Sequence, residues 1–343
     1  MKKLTVLILI LVVSVFYSCQ NEDWSFPDNP FSTVYFSYQY PVRTLTMGED
    51  IFDTTLDNEH KCSIYATWGG GYSNKNDVVV DFIVDPTLCD NVYYKEADGS
   101  TNVKVEVMPS NYYTLASNKI TIPKGSISGG VEVHLEDAFF NDPKALKRNY
   151  VIPLLMTNVV KADSILSGKT NKIDANRNIT GDWEILPKDY ILYAVKYINT
   201  WDGYYLRRGT DIVTTNNVSQ TVVRHEQYVE YDQVVKTNTT SLTNVELPLV
   251  LKDENNINKN ITLILSFDNS GNCTISSGSS NVIASGTGKF VKKGELKSWG
   301  NKDRDALYLE YNLDLGTQKY TTKDTLVARN RGVAKEVYSV VVK

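Results

Sequence analysis

Apolar and polar residues alternate along most of this chain, the mark of strands that bury one face. Val131-Glu132-Val133-His134-Leu135-Glu136 follows that pattern. So do Leu307, Leu309, Tyr311, Leu313 and Leu315, with Tyr308, Glu310, Asn312 and Asp314 turned the other way. Val78–Val84 and Ile261–Phe267 are more continuously apolar, which predicts central strands covered on both faces. Tyr190–Ile198 has the length of a short helix, but its β-branched residues and the following Gly203 favour a strand. Turn residues separate the runs at Asp98-Gly99, Lys124-Gly125, Ser128-Gly129-Gly130 and Asp268-Asn269-Ser270-Gly271. The last of these reads as a hairpin loop, because it lacks the ligand count and distal Glu of a calcium loop.

The pattern predicts an all-β protein without helical repeats. One shift in composition, the polar stretch 167–182 with Gly168, Gly181 and several Asn, reads as a linker. It divides an Ig-like β-sandwich over residues 31–166 from a second all-β domain over 183–343. That second domain is expected to be a calycin-like barrel, with a second sandwich as the alternative.

The N-terminus has a different character. Lys2 and Lys3 precede an apolar run, Leu4–Phe16, that is too short to span a bilayer but suits an export signal. Ser18-Cys19 follows and resembles the lipobox of bacterial lipoproteins. That resemblance implies a signal peptide over residues 1–18 and acylation of Cys19; the alternative is a plain secretory signal. Residues 19–30 then form a lipidated tether. Its Gln20-Asn21-Glu22-Asp23 resembles the acidic signal that sends Bacteroidetes lipoproteins to the outer face of the outer membrane, the periplasmic face being the alternative.

Loss of the leader moves the formal charge from −4 to −6, since only Lys2 and Lys3 go with it. A mildly acidic chain without clustered basic residues does not suit nucleic acid. Cys62, Cys89 and Cys273 remain beside Cys19, an odd number that argues against a disulfide framework. A Cys62–Cys89 bridge stays open in an exported protein, with two buried thiols the favoured state.

The first domain resembles a family of N-terminal domains in Bacteroidetes polysaccharide-utilisation lipoproteins. The likeness is carried by Gly70-Gly71-Tyr72 with Asn74, Val80–Asp85, Tyr112-Tyr113-Thr114-Leu115, Ile120–Gly125, Val131–Val133 and Tyr150–Leu154. It implies an Ig-like sandwich displayed at the cell surface beside a glycan-uptake complex. The pattern Lys196–Asn199, Trp201–Tyr205 and Asp324–Arg331 is similar to the partner domain behind that sandwich. An early Trp beside Gly with a late Arg also resembles calycin barrels. There the Trp closes one barrel end and the Arg packs on it, which implies a structural pair here, Trp201 and Arg329.

Candidate chemistry is sparse. His60, His134 and His225 lie far apart and match no metal-ligand spacing, and neither a nucleophile elbow nor a phosphate loop is present. No cofactor or metal is implied. Tyrosines outnumber phenylalanines 22 to 10, favouring rings with one wet end. Sugars present apolar C–H faces and many hydroxyls, so their sites pair flat rings with amides, carboxylates or guanidinium groups. Trp299, in the otherwise polar run Lys297–Arg304, is either such a platform or a lid on the barrel. Asn301, Asp303 and Arg304 would supply hydrogen bonds. Trp68 and Tyr72 flank a glycine loop that reads first as a structural turn and second as a ligand contact. The pairs Arg207-Arg208 and Lys292-Lys293 read as solvated charge. The leading function is non-catalytic glycan binding; the alternatives are an adhesin-like protein partner and, last, a glycoside-active enzyme.

Overall fold

The strand pattern resolves into two β units, and the boundary between them is not where the polar stretch suggested. The computed structural model describes residues 29–343. Cys19 and the rest of residues 1–28 lie outside it. The first unit contains β1 (Thr33–Tyr35), β2 (Pro41–Thr46), β3 (Lys61–Gly69), β4 (Val78–Val84), β5 (Val92–Lys95) and β6 (Glu106–Val107). It continues through β7 (Tyr113–Leu115), β8 (Lys119–Ile122), β9 (Ser128–Leu135), β10 (Tyr150–Val160), β11 (Ser164–Ile165) and β12 (Tyr190–Ile198). The barrel strands are β13 (Gly203–Thr215), β14 (Val218–Arg224), β15 (Gln233–Thr239), β16 (Asn244–Lys252) and β17 (Asn258–Phe267). They end with β18 (Asn272–Ser277), β19 (Ile283–Glu295), β20 (Arg304–Asp314) and β21 (Gln318–Asn330), before a tail of β22 (Glu336–Val337) and β23 (Ser339–Val342).

The first unit is a sandwich of one sheet in the order β11-β1-β3-β9-β7 and another in the order β22-β2-β12-β10-β4-β8. Strand β12, assigned by its sequence position to the second domain, belongs here. It pairs antiparallel with β10 and parallel with β2. Its odd residues Ile191, Tyr193, Val195 and Tyr197 enter the main sandwich core. Its even residues Tyr190, Leu192 and Ala194 enter a second, smaller core. It is thus covered on both faces, as is the neighbouring part of β10, where Ile152 and Leu154 enter the main core and Val151 the small one. Val78–Val84, expected to be so, instead alternates and leaves Ile83 and Val84 exposed, and Ile261–Phe267 alternates as well. The tail also returns to the first unit: β22 pairs with β2 and β23 with β5. Tyr338 between them closes the small core and donates its hydroxyl to the Leu192 carbonyl at 2.8 Å.

The polar stretch 167–182 is an ordered loop rather than a free linker. Asp182 takes the Lys172 ammonium at 2.6 Å and the Asn176 amide at 2.9 Å. Arg177 grips Asp189 through two bonds of 3.1 and 2.9 Å. The three described cysteines are buried free thiols. No bridge therefore joins Cys62 to Cys89, and burial pushes both thiols up to about 12.

The second unit closes into an eight-stranded barrel when β13 pairs with both β15 and β21, and β14 lies outside as a flap on β13. The hairpin expected at Asp268–Gly271 joins β17 to β18, with Gly271 in the left-handed region at φ 78°. Alternation in β13 separates the arginine pair that had read as solvated charge. Arg207 points into the barrel and binds Asp324 at 2.8 Å, with side-chain exposures of 1% and 0%. Tyr311 donates to the same carboxylate at 2.8 Å. Arg224 joins Asp324 to Asp211, each at 2.6 Å. Arg208 points outward to Asp232. Lys292 and Lys293 are exposed, as the pattern suggested.

Arg331 joins the two units. Its guanidinium donates to the carbonyls of Asp202 (2.6 Å) and Asn199 on the barrel side, and of Met47 (3.0 Å) and Glu49 (3.3 Å) on the sandwich side. Replacement by Met keeps most of the stem but orphans these acceptors. Arg331→Met should therefore destabilise the protein by about 2–4 kcal/mol in urea unfolding, the scale of a lost charged hydrogen-bond set. An unchanged midpoint would show that this clamp contributes nothing.

Candidate functional site

The Arg331 clamp leaves a cleft beside it, of about 430 Å³, where the barrel end meets the sandwich loop Glu49–Phe52. Barrel residues Tyr204, Asp303, Arg304, Asp305 and Arg329 line it, with Gly332. The turn from β21 into the tail makes room for the Tyr204 ring. Gly332 sits at φ 68°, and a Cβ there would come within 2.6 Å of the ring. Tyr204 is thus half-buried at the cleft, with Lys236 over its ring at 5.4 Å.

Asp303 and Arg304 reach the cleft because the 297–303 loop is tightly tied. The Asp303 carboxylate accepts the Lys297 amide at 2.9 Å, and the Ser298 amide reaches the Lys302 carbonyl at 2.9 Å. Asn301, at φ 53°, occupies the left-handed corner of this loop with its side chain exposed and outside the cleft. Asp305 likewise accepts the Lys293 amide at 2.8 Å. Both aspartates anchor loops as well as facing the cleft.

Trp299 is half-buried. Its indole N–H donates to the Ala328 carbonyl at 3.2 Å, and the Arg304 guanidinium lies over its ring at 3.9 Å. One ring face and the polar tip are engaged within the protein, which is what the lid, of the two roles open to it, requires. Arg304 is thereby stacked in place at the cleft wall, and the cation–π contact holds it there.

The expected Trp201–Arg329 pair does not form. Trp201 stacks on Phe267, with ring centres 4.0 Å apart and planes 7° from parallel. Pairing of β13 with β21 shifts between Tyr204 and Tyr205, opposite Asn330 and Ala328, and Arg329 falls in that bulge. The extra residue turns Arg329 to solvent at the cleft. It leaves Arg331 to bind the carbonyls around Trp201. A late arginine does serve the early tryptophan segment, but two residues further on.

Trp68 lies on the inward side of β3 and packs on the sandwich core, whereas Tyr72 is 71% exposed. Neither approaches the cleft. Their glycine loop is structural: Gly70, at φ 128°, has no room for a Cβ because the Phe31 carbonyl is 2.8 Å away. Asn74 ties the loop by accepting from the Gly125 amide at 2.6 Å. A separate groove of about 440 Å³ in the sandwich lies between Tyr38 and Tyr65, above Ile191 and Tyr193. Sequence reasoning missed Tyr204, Tyr38 and Tyr65 as candidates, since nothing in their local sequence sets them apart from the other tyrosines.

Among the described residues, no group of three His, Cys, Asp or Glu side chains is placed to hold a metal ion. Trp299→Ala should lower stability by about 1–3 kcal/mol, less than a fully buried tryptophan would cost. A melting temperature equal to the parent's would instead mark Trp299 as a free platform.

A family model for DUF5627, a domain of unknown function, matches residues 200–332, the barrel without its tail. A second model, described as an N-terminal domain, matches residues 27–163. No curated protein matches the sequence. A solved protein of unknown function from Bacteroides ovatus is 51% identical, covering 92% of this chain and 100% of its own, with a TM-score of 0.86. A multidomain protein including DUF1735, from the same species, is 11% identical over 88% of this chain and 97% of its own, at TM-score 0.42. An auxiliary nutrient binding protein from Bacteroides thetaiotaomicron is 13% identical over 83% of this chain and 90% of its own, at 0.36. Likenesses of the latter degree establish neither fold nor function. The first is of another order, and by its identity and coverage this chain belongs to the family of that Bacteroides ovatus protein, its barrel being the part that the DUF5627 model matches.

Proposed function

We propose that the protein is a lipid-anchored surface protein of the outer membrane that binds glycan in the cleft between sandwich and barrel, without catalysis. One observation carries the binding site: a half-exposed tyrosine ring, Tyr204, shares a preformed cleft with the exposed guanidinium of Arg329 and with Asp303 and Arg304. Rings beside charged donors and acceptors suit the C–H faces and hydroxyls of a sugar. The non-catalytic reading has its own support. Glycoside hydrolysis needs a carboxyl held above its usual range to act as the acid. Of the four cleft carboxyls, Glu49 is held below that range by its bond and ion pair with Lys292, and Asp50, Asp303 and Asp305 each accept a loop amide.

Tyr204→Ala and Arg329→Ala should each weaken glycan binding by about 0.5–3 kcal/mol in isothermal titration, with little change in melting temperature. The glycan is chosen by an array screen of the mature protein. Undiminished affinity in both variants would move the site to the Tyr38–Tyr65 groove. An adhesin-like reading draws on one observation, the strand β14, whose residues Val218–Val223 are exposed and which, among the described residues, pairs only with β13.

The anchoring is tested at Cys19. Cys19→Ala should still be exported but no longer sediment with membranes. Surface exposure follows if protease added to whole cells removes the parent protein. Membrane retention of the variant would overturn the lipoprotein reading, leaving the glycan site to be judged separately.

A further inference from the structure

We infer that the free edge of β14 is a self-pairing surface, to which a second copy of this chain adds its own β14, antiparallel, across a two-fold axis.

The hairpin of β13 and β14 holds that edge in place. Asn216 and Asn217, at φ 51° and 64°, make a two-residue turn with both residues in the left-handed region, the kind that matches the twist of its strands. The pairing then runs without a break from Thr215 and Val218 to Gly209 and Arg224, with the Thr214 and Ser219 hydroxyls 2.9 Å apart. At the far end Arg224 is fixed to Asp211 and Asp324. The insertion 225–232, which carries the exposed Tyr228 and Tyr231, is pinned there too. Its Asp232 carboxylate takes the Arg208 guanidinium at 2.6 Å and the Glu226 amide at 2.8 Å.

The opposite side of the strand is bare. Among the described residues β14 pairs only with β13, and no backbone group of Val218–Val223 bonds outside that hairpin. All six of these residues are exposed, although their side chains alternate between the two faces of the hairpin. Val218 and Val223 are 72% and 61% exposed. Native sheets blunt such edges with charge, proline or a bulge, because unpaired N–H and C=O groups recruit another strand. This barrel does so elsewhere: β16, which pairs with β15 only through Val245 and Glu246, carries Pro248 and ends in Lys252. Strand β14 has no proline, no break in register and no charge before Arg224.

Its sequence suits its own copy. Antiparallel pairing about the middle residue sets Thr221 against Thr221, Gln220 against Val222, Ser219 against Val223 and Val218 against Arg224. No like charges meet, and hydroxyl and β-branched neighbours of this kind are favourable across strands. Each copy presents the same patch, as a two-fold interface requires. The cleft lies at the Tyr204 end of β13, away from the stretch Gly209–Thr215 that carries β14, so pairing leaves it open.

The test is cross-linking of the full chain in whole cells. Cys62, Cys89 and Cys273 are buried free thiols, so Thr221→Cys supplies an exposed thiol that meets its own copy at the axis. With a mild oxidant this variant should run as a disulfide-linked homodimer on a non-reducing gel. Thr321→Cys, on an exposed position of β21, should stay monomeric. Equal yields from the two positions, or no dimer from either, would overturn the pairing. A product at 221 whose mass reveals a different chain would overturn it as well and assign the edge to another protein. Sedimentation of the purified mature protein gives a second readout. Thr221→Lys sets like charges face to face and should weaken the parent dimer about tenfold, with the melting temperature unchanged because Thr221 is exposed. Mixing it with Thr221→Glu should restore dimers. A monomeric parent, or a lysine variant that pairs as tightly as the parent, would sink the inference. None of these outcomes touches the glycan titrations at Tyr204 and Arg329, so the two readings stand or fall separately.

Discussion

The rest of the structure depends on the burial of β12 on both faces. A strand apolar at every position but Lys196 cannot sit at the rim of a sandwich without exposing half of those residues. Here its odd residues fill the main core and its even residues fill a second core with Tyr94 and Tyr338. At roughly 1.5–3 kcal/mol for each large apolar side chain buried, both faces are strong constraints on the fold. Strand β12 runs directly into the barrel, so its placement fixes where the barrel begins. The second core has no cover of its own on the tail side, and the returning tail supplies it. The two units are therefore held together by the direct passage from β12 into β13, a returning tail and the Arg331 clamp.

Inside the barrel the constraint is electrostatic. The Arg207–Asp324 pair is removed from water, and Arg224 links Asp324 to Asp211. Such burial costs desolvation that only a complete set of partners offsets, and loss of one partner costs about 3–5 kcal/mol. The same alternation specifies register. A slip of β13 by one residue would exchange Arg207 for Arg208, taking one from Asp324 and the other from Asp232. The loop that presents Tyr228 and Tyr231 thus depends on the register that seals the barrel.

The cleft arises as a consequence of these two constraints. Clamping the barrel end to the Met47–Glu49 backbone leaves a wall of loop residues on one side and Tyr204 on the other. The Arg329 bulge and the Trp299–Arg304 stack place guanidinium groups along that wall. None of these side chains has a chemically unusual neighbour in sequence. Their functional character comes from convergence of β13, β20 and β21 at one barrel end.

Much of the architecture was legible in the chain. Alternation in Val131–Leu135 and Leu307–Leu313 defined strands, and Asp268–Gly271 defined a hairpin, because side-chain period and turn chemistry are local properties. Asp303 and Arg304 were legible as candidates because they sit in a polar run. The domain boundary was not, since the same polar residues that suggest a linker can bond one another, as Asp182 and Arg177 do. Nor was the role of Arg329 against Arg331, which turns on one bulge. Likewise, identical arginines at 207 and 208 became a buried pair and an outer anchor by strand parity alone. Sequence determined which residues alternate and where the chain turns. Only tertiary structure decided which face met water, because that depends on strands distant in sequence arriving to cover it.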